Sequence, residues 1–301
     1  CYIALMKNAR NVLLILAFVL GLTFGDFALY TKSALLPVIV LLMTLSFSGI
    51  STAEFFPLKS LVKPVVLACF LNYFFFGALI LLWYIVFSFD PLYLPGFIVA
   101  VTTPPGVAII PFTFVLKGDV KFATVGTVGA YIFALFFSPI ALKLLVGSAS
   151  ISIHRQLFYM MKVIVLPFVL SRFMRNEKLL PFIEDARATV VNVSFFVIFY
   201  TIIGVNKGVF FSDPLLILKL VSVAVLTYVV PGEILHWSLK SIDVAYEKII
   251  VTRMLAGIKN GGLIAVTAFS LFGAQAAVPG TILSSVAIIY LLSLNLRYGT
   301  E

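Results

Sequence analysis

Ten apolar runs, each long enough to cross a lipid bilayer, divide this chain, and they limit its fold more than any other feature. They are Asn11 to Tyr30, Ala34 to Ile50, Pro64 to Phe89, Gly96 to Leu116, Phe122 to Leu145, Leu157 to Phe173, Thr189 to Val205, Pro214 to Leu239, Ile249 to Phe272 and Pro279 to Leu296. A bilayer core takes about 20 apolar residues in helical form. In lipid such runs must be helices, because open strand edges would leave N–H and C=O groups without partners. Hydrophobic residues make up 62% of the chain and charged ones 11%, against roughly 45 to 50% and about 25% in soluble globular proteins. The expected fold class is therefore an all-α polytopic membrane protein with ten transmembrane helices.

The net charge of +9 would suggest nucleic acid in a soluble protein. Here the basic residues sit between apolar runs, so they report topology; the bilayer is the expected partner, and no nucleic acid is. With a cytoplasmic amino terminus, fourteen Lys and Arg residues, Arg253 among them, fall on the cytoplasmic side, and only Lys32, Lys143, Arg155 and Lys207 on the other. This predicts a multi-pass protein of the cell membrane with both termini inside. Lys162, Lys219 and Lys259 lie within runs, where a cation must snorkel, face water or find a partner. Two cysteines, Cys1 and Cys69, support neither a disulfide framework nor a thiolate metal cage, and no cofactor or metal is expected. No charged leader, short apolar core and cleavage site follow one another near Cys1, which is compatible with numbering that starts inside a longer chain.

Five runs per half, residues 1–150 and 151–301, would place homologous halves in opposite senses. Leu71, Tyr73 and Gly77 match Leu226, Tyr228 and Gly232 at an offset of 155 residues (226 − 71), and Gly106 matches Gly261 at the same offset. These paired glycines lie in the two most interrupted runs. Thr103, Pro104, Pro105 and Gly106 stand midway in the fourth, where consecutive prolines remove two backbone donors and obstruct the preceding turn. Lys259, Asn260, Gly261 and Gly262 interrupt the ninth. Matched interruptions in two halves point to a transporter binding site; the plainer alternative is a proline kink and a glycine packing seam.

Glu233 and His236, three residues apart on one helix face, form a possible proton site or an interfacial polar cluster. Asp119 reads as a helix cap after a turn. An intramembrane enzyme is the rival class. His154 and His236 are the only histidines and neither starts H-E-x-x-H; no pair of aspartates or serine nucleophile motif stands out.

The fourth run and its sequel, Pro104-Pro105-Gly106-Val107-Ala108-Ile109-Ile110, Val115-Leu116-Lys117-Gly118-Asp119 and Ser138-Pro139, resemble P-G-G-T-A-S-N, L-A-K-G-D and T-P of the bile acid:sodium symporter family. Leu255-Ala256-Gly257-Ile258-Lys259-Asn260-Gly261-Gly262-Leu263 and Ala277-Val278-Pro279-Gly280 resemble its E-V-G-M-Q-N-S-G-L-A and A-V-P-G. The resemblance implies ten helices with discontinuous, crossing helices four and nine. It also implies a core part (64–146 and 214–297), a panel part (11–50 and 155–206) and a secondary transporter of a small organic anion.

The departures fall on the family's sodium ligands: Ile109 and Ile110 replace Ser-Asn, Leu255 the acidic residue, Ala123 a serine and Lys259 a glutamine. Asn72 and Thr127 alone keep polarity there. Sodium coupling of the family type is therefore expected to be absent, with the Lys259 ammonium donating to Asn72 and crossover carbonyls in place of the cation. Lys259 could also gain and lose a proton during transport. Alternatively, with Arg253 at the interface, Lys259 lies only about 9 Å further along a helix and snorkels. Auxin efflux proteins, proton-coupled or uncoupled, are the second family whose proline-broken plan the chain resembles. Monomer and homodimer both remain open.

Overall fold

The computed structural model describes residues 2–51, 61–147, 153–176 and 179–298. Among them every regular element is helical. In chain order they are α1 (Tyr2–Thr23), α2 (Gly25–Ser48, entered through 3₁₀ turns), α3 (Val62–Val86), α4 (Leu94–Thr102), α5 (Ile109–Val115), α6 (Val120–Val146), α7 (Gln156–Phe173), α8 (Leu180–Val205), a short α9 (Lys207–Ser212), α10 (Pro214–Ser241), α11 (Tyr246–Gly257), α12 (Gly261–Phe272) and α13 (Ala274–Tyr298). Seven of the described helices are long and apolar enough to cross a membrane. The fourth and ninth apolar runs each form a pair of shorter helices.

Local sequence explains the helix starts. Asp119 Oδ1 accepts from Phe122 N at 2.9 Å and Asp213 Oδ1 from Leu216 N at 2.8 Å, each satisfying a donor left bare in a first turn. Several boundaries differ from the sequence expectation, among them the start of α8, at Leu180 rather than Thr189. The run from Asn11 to Tyr30 is not one helix: α1 ends at Thr23, and Gly25 begins α2. Gly25 packs so closely on α8 that an added Cβ would sit 2.8 Å from Gly204 O, and Asp26 in that turn pairs with Lys207 at 2.7 Å. The last helix starts at Ala274 rather than Pro279, because Gly273, at φ +92°, turns the chain at once and leaves Pro279 inside α13.

Helices α1, α2, α7 and α8 pack on one another, and α3, α4, α6 and α10 to α13 form a second group. The groups meet where α2 and α8 touch α12, α8 touches α13, and α7 touches α6. Within the second group α4 and α13 approach until a Cβ on Gly96 would collide with Ala276 O, the close backbone contact that small residues permit between membrane helices. Both α3 and α10 widen into a π-helical turn, Phe70–Phe75 and Val225–Val229, which begin 155 residues apart. Such turns redirect side chains and recur at functional sites.

Candidate functional site

Where α4 and α11 end, the chain runs extended on both sides. Thr103 has φ −74° and ψ 139°, and Ile258 φ −95° and ψ 104°. The two segments pair antiparallel, with Pro105 opposite Lys259. Gly106 N donates to Ile258 O and Asn260 N to Pro104 O, both at 3.0 Å. Two broken helices would otherwise leave bare backbone groups in an apolar interior; here each break supplies partners to the other. The glycines make the approach possible, since a Cβ on Gly106 would lie 3.0 Å from Lys259 O and one on Gly261 would overlap the Ser284 side chain.

Lys259 is 4% exposed. Its ammonium donates to Asn72 Oδ1 at 2.7 Å, Val101 O at 2.9 Å and Thr103 O at 2.7 Å. All three N–H groups are thereby used, on three neutral oxygens. Two of these are at the carboxyl end of α4, where the helix dipole presents negative charge. The rings of Tyr73 and Phe76 cover the ammonium, each centroid 4.8 Å away, adding cation–π attraction. Tyr73 is held in turn by its hydroxyl, which donates to Ala130 O at 2.7 Å. Asn72 reaches the ammonium from the π turn of α3 and extends its amide toward Leu255 O at 3.5 Å.

Asn260 caps α12, its Oδ1 accepting from Leu263 N at 3.1 Å. Its Nδ2 donates to Tyr131 Oη at 2.6 Å and contacts Met43 Sδ at 3.1 Å, which ties α12 to α6 and to α2. Thr127 is buried with no hydrogen-bond partner for its hydroxyl among the described residues, and it is not among the groups that hold the ammonium. The side chains of Ile109, Leu255 and Ala123 are wholly buried and offer no oxygen. A cavity of about 50 Å³ lies against the crossover. Gly106 to Ala108 and Ile258 to Gly262 line it together with Phe195 and Phe199 of α8 and Ser284, Ala287, Ile288 and Leu291 of α13. The amino ends of α5 and α12 both border this space.

Glu233 and His236 are brought together through a third group, Arg253, which has no exposed surface. Its Nη2 donates to Glu233 Oε1 at 2.6 Å and to Tyr290 Oη at 3.0 Å, and its Nη1 lies 3.1 Å from His236 Nδ1. A guanidinium only donates, so Nδ1 accepts and the imidazole carries its proton on Nε2. Placing Arg253 among the loop cations missed this role; the available signal was a cation inside the run from Ile249 to Phe272, which requires a partner. Of the other cations within runs, Lys219 donates to Phe87 O at 3.0 Å at the end of α3, and Lys162 lies over the Phe158 ring at 4.4 Å.

A family model described as the Sodium Bile acid symporter family matches residues 36–210, more than half of the chain. Comparison with the curated proteins gives no match.

Proposed function

Because the chain belongs to the sodium bile acid symporter family, whose members are membrane transporters, we propose that it carries a small organic anion across the cell membrane without sodium, using the Lys259 ammonium in place of the bound cation. The observation that carries this reading is the triad of bonds from Lys259 to Asn72 Oδ1, Val101 O and Thr103 O. A sodium ion would need those oxygens, and they are taken. Apolar Ile109, Ile110 and Leu255 stand where the resemblance places further ligands, so these residues do not fit sodium.

In this reading the chain forms ten membrane helices in two inverted halves, 1–150 and 151–301, with both termini in the cytoplasm. Helices α1, α2, α7 and α8 form the panel, and the remaining long helices form the core around the crossover. The anion binds at the amino ends of α5 and α12, where the helix dipoles favour negative charge. The present cavity holds only a few waters. Entry therefore requires Phe195 and Phe199 to withdraw with the panel, which makes access alternate between the two sides. Since Lys259 is fully bonded, it does not clamp the substrate; it fixes the crossover and supplies a resident positive charge. An anion moving without a counterion carries net charge, so uptake should respond to membrane potential.

The test is uptake of a labelled bile acid, then of small labelled carboxylates, into proteoliposomes with sodium and pH gradients imposed separately. Wild-type uptake is expected to ignore the sodium gradient. Lys259→Gln should lower it at least about tenfold, the equivalent of one lost charge-assisted hydrogen bond. Sodium-driven uptake by wild type would end the proposal, and undiminished uptake by the variant would remove Lys259 from it. Uptake driven by the pH gradient alone would move the chain toward the proton-coupled plan that auxin efflux proteins share.

A further inference from the structure

Away from the crossover, a pocket of about 510 Å³ opens beside the start of α11, lined by residues that include His236, Lys240, Asp243, Tyr246, Arg297 and Tyr298. Its size falls within the roughly 300 to 1,000 Å³ of small-molecule sites, whereas the crossover cavity measures about 50 Å³. Lys240 and Arg297 bring two positive charges to the wall and Asp243 one negative. Behind the wall Arg253 and Glu233 cancel each other. The pocket is left with a surplus positive charge.

Arg297 is only loosely held, by Glu233. Its contact with Glu233 Oε1 is long, at 3.4 Å, and Arg253 already holds that oxygen at 2.6 Å, while charge-assisted N–H···O bonds run about 2.7 to 2.9 Å. The Arg297 side chain is 60% exposed and can turn its planar donor pair toward the pocket. The rest of the wall is apolar, Val244 and Ile249 beside three rings: the Tyr298 ring lies 6.3 Å from that of Tyr246 and 5.6 Å from His236. A few polar anchors on an aromatic wall are the usual make-up of an organic-ligand site.

We infer that this pocket binds a small organic anion, a carboxylate or sulfonate on a flat apolar body, with Lys240 and Arg297 on the charged group and the rings of Tyr246 and Tyr298 against the body. It is separate from the crossover cavity. Its occupant touches His236, which contacts Arg253, and so bears on the half-helix that ends at the crossover.

The chain has two tryptophans, and one of them, Trp237, adjoins His236 and lies 5.6 Å beneath the Lys240 ammonium. In a Trp83→Phe background Trp237 is therefore a single reporter. The experiment titrates that protein, in nanodiscs of zwitterionic lipid, with 4-nitrobenzenesulfonate, an indole quencher that stays ionised at working pH. Saturable quenching is expected, with the half-saturation point raised at least about tenfold by Lys240→Gln with Arg297→Gln, as two charge-assisted bonds require. The charge-preserving pair Lys240→Arg and Arg297→Lys should keep saturation near wild type, which separates loss of charge from loss of fold. Quenching that rises linearly, or is the same in the neutral double variant, means a solvated basic rim and overturns the inference. Displacement by inorganic sulfate at concentrations equal to the sulfonate would overturn the part assigned to the flat body.

Discussion

The two half-helices that lead into the crossover, α4 and α11, are fastened by opposite means. Positions 155 residues apart make the contrast direct. Where α11 has Arg253, α4 has Ile98; where α11's neighbours supply Glu233, His236 and Tyr290, the positions 155 residues earlier are the apolar Ala78, Leu81 and Leu135. One half-helix is held by apolar packing, with Ile98 buried in the core, the other by a buried guanidinium bonded to a carboxylate, an imidazole and a phenol. Lys259 adds a second asymmetry: it arises in the second break and fills the oxygens of the first, while its counterpart, Pro104, has no donor to return. The two paired breaks therefore rest on different chemistries, and the polar one lies beside the 510 Å³ pocket.

The largest effect expected from this contrast is at Arg253. Arg253→Met leaves the Glu233 carboxylate without its short partner and should cost about 3 to 5 kcal/mol, as breaking a buried ion pair does. It would be read as a lower thermal unfolding midpoint in detergent and poorer recovery of folded protein. Giving the second half the residues of the first, Arg253→Ile with Glu233→Ala, His236→Leu and Tyr290→Leu, should recover most of that loss, since apolar replacement of a buried ionic cluster is often neutral or stabilising. If the quadruple variant is no more stable than Arg253→Met, the two fastenings are not interchangeable and the comparison fails. Ile98→Val, trimming one methylene on the apolar side, should cost about 0.5 to 1.5 kcal/mol.

The positions of the breaks could be read from residue types alone, because proline withholds its N–H wherever it occurs and Pro104-Pro105 withholds two in succession. The helical character of the apolar runs was legible for an equally general reason, the absence of hydrogen-bonding solvent in lipid. What could not be read was decided by partners distant in sequence. Arg253 looks like a loop cation until α10 and α13 are packed against it. At Gly25 the local signal, a glycine followed by Asp26, marks an interruption, but the contact with Gly204 on α8 is made by a partner distant in sequence. Thr127 and Asn72 look alike as isolated polar residues in apolar runs; only the π turn of α3 directs Asn72 onto the ammonium.

The next effect in size concerns Asn72, which Lys259 engages across the crossover. Asn72→Leu removes one of the ammonium's three acceptors, at a cost of about 1 to 3 kcal/mol or more, because the stranded donor is charged. Uptake should fall alongside the unfolding midpoint. Retained stability would mean that the ammonium finds another acceptor, and the tethered-cation reading would lose its best-placed oxygen.

The smallest effect should lie at the position 155 residues further on, Thr227. It occupies the π turn of α10 as Asn72 occupies that of α3, and it is 1% exposed with a hydroxyl that has no hydrogen-bond partner among the described residues. An unpaired buried hydroxyl is a cost to the folded state. Replacing it with a methyl group of similar volume removes that cost, so Thr227→Val should raise the unfolding midpoint slightly, by the equivalent of up to about 1 kcal/mol. Opposite signs for Asn72→Leu and Thr227→Val would show that one side of the crossover holds a charge and the other does not. A destabilised Thr227→Val would instead show that this hydroxyl has a partner in the membrane, a bound water or ion, and that the second half keeps an occupied site of its own.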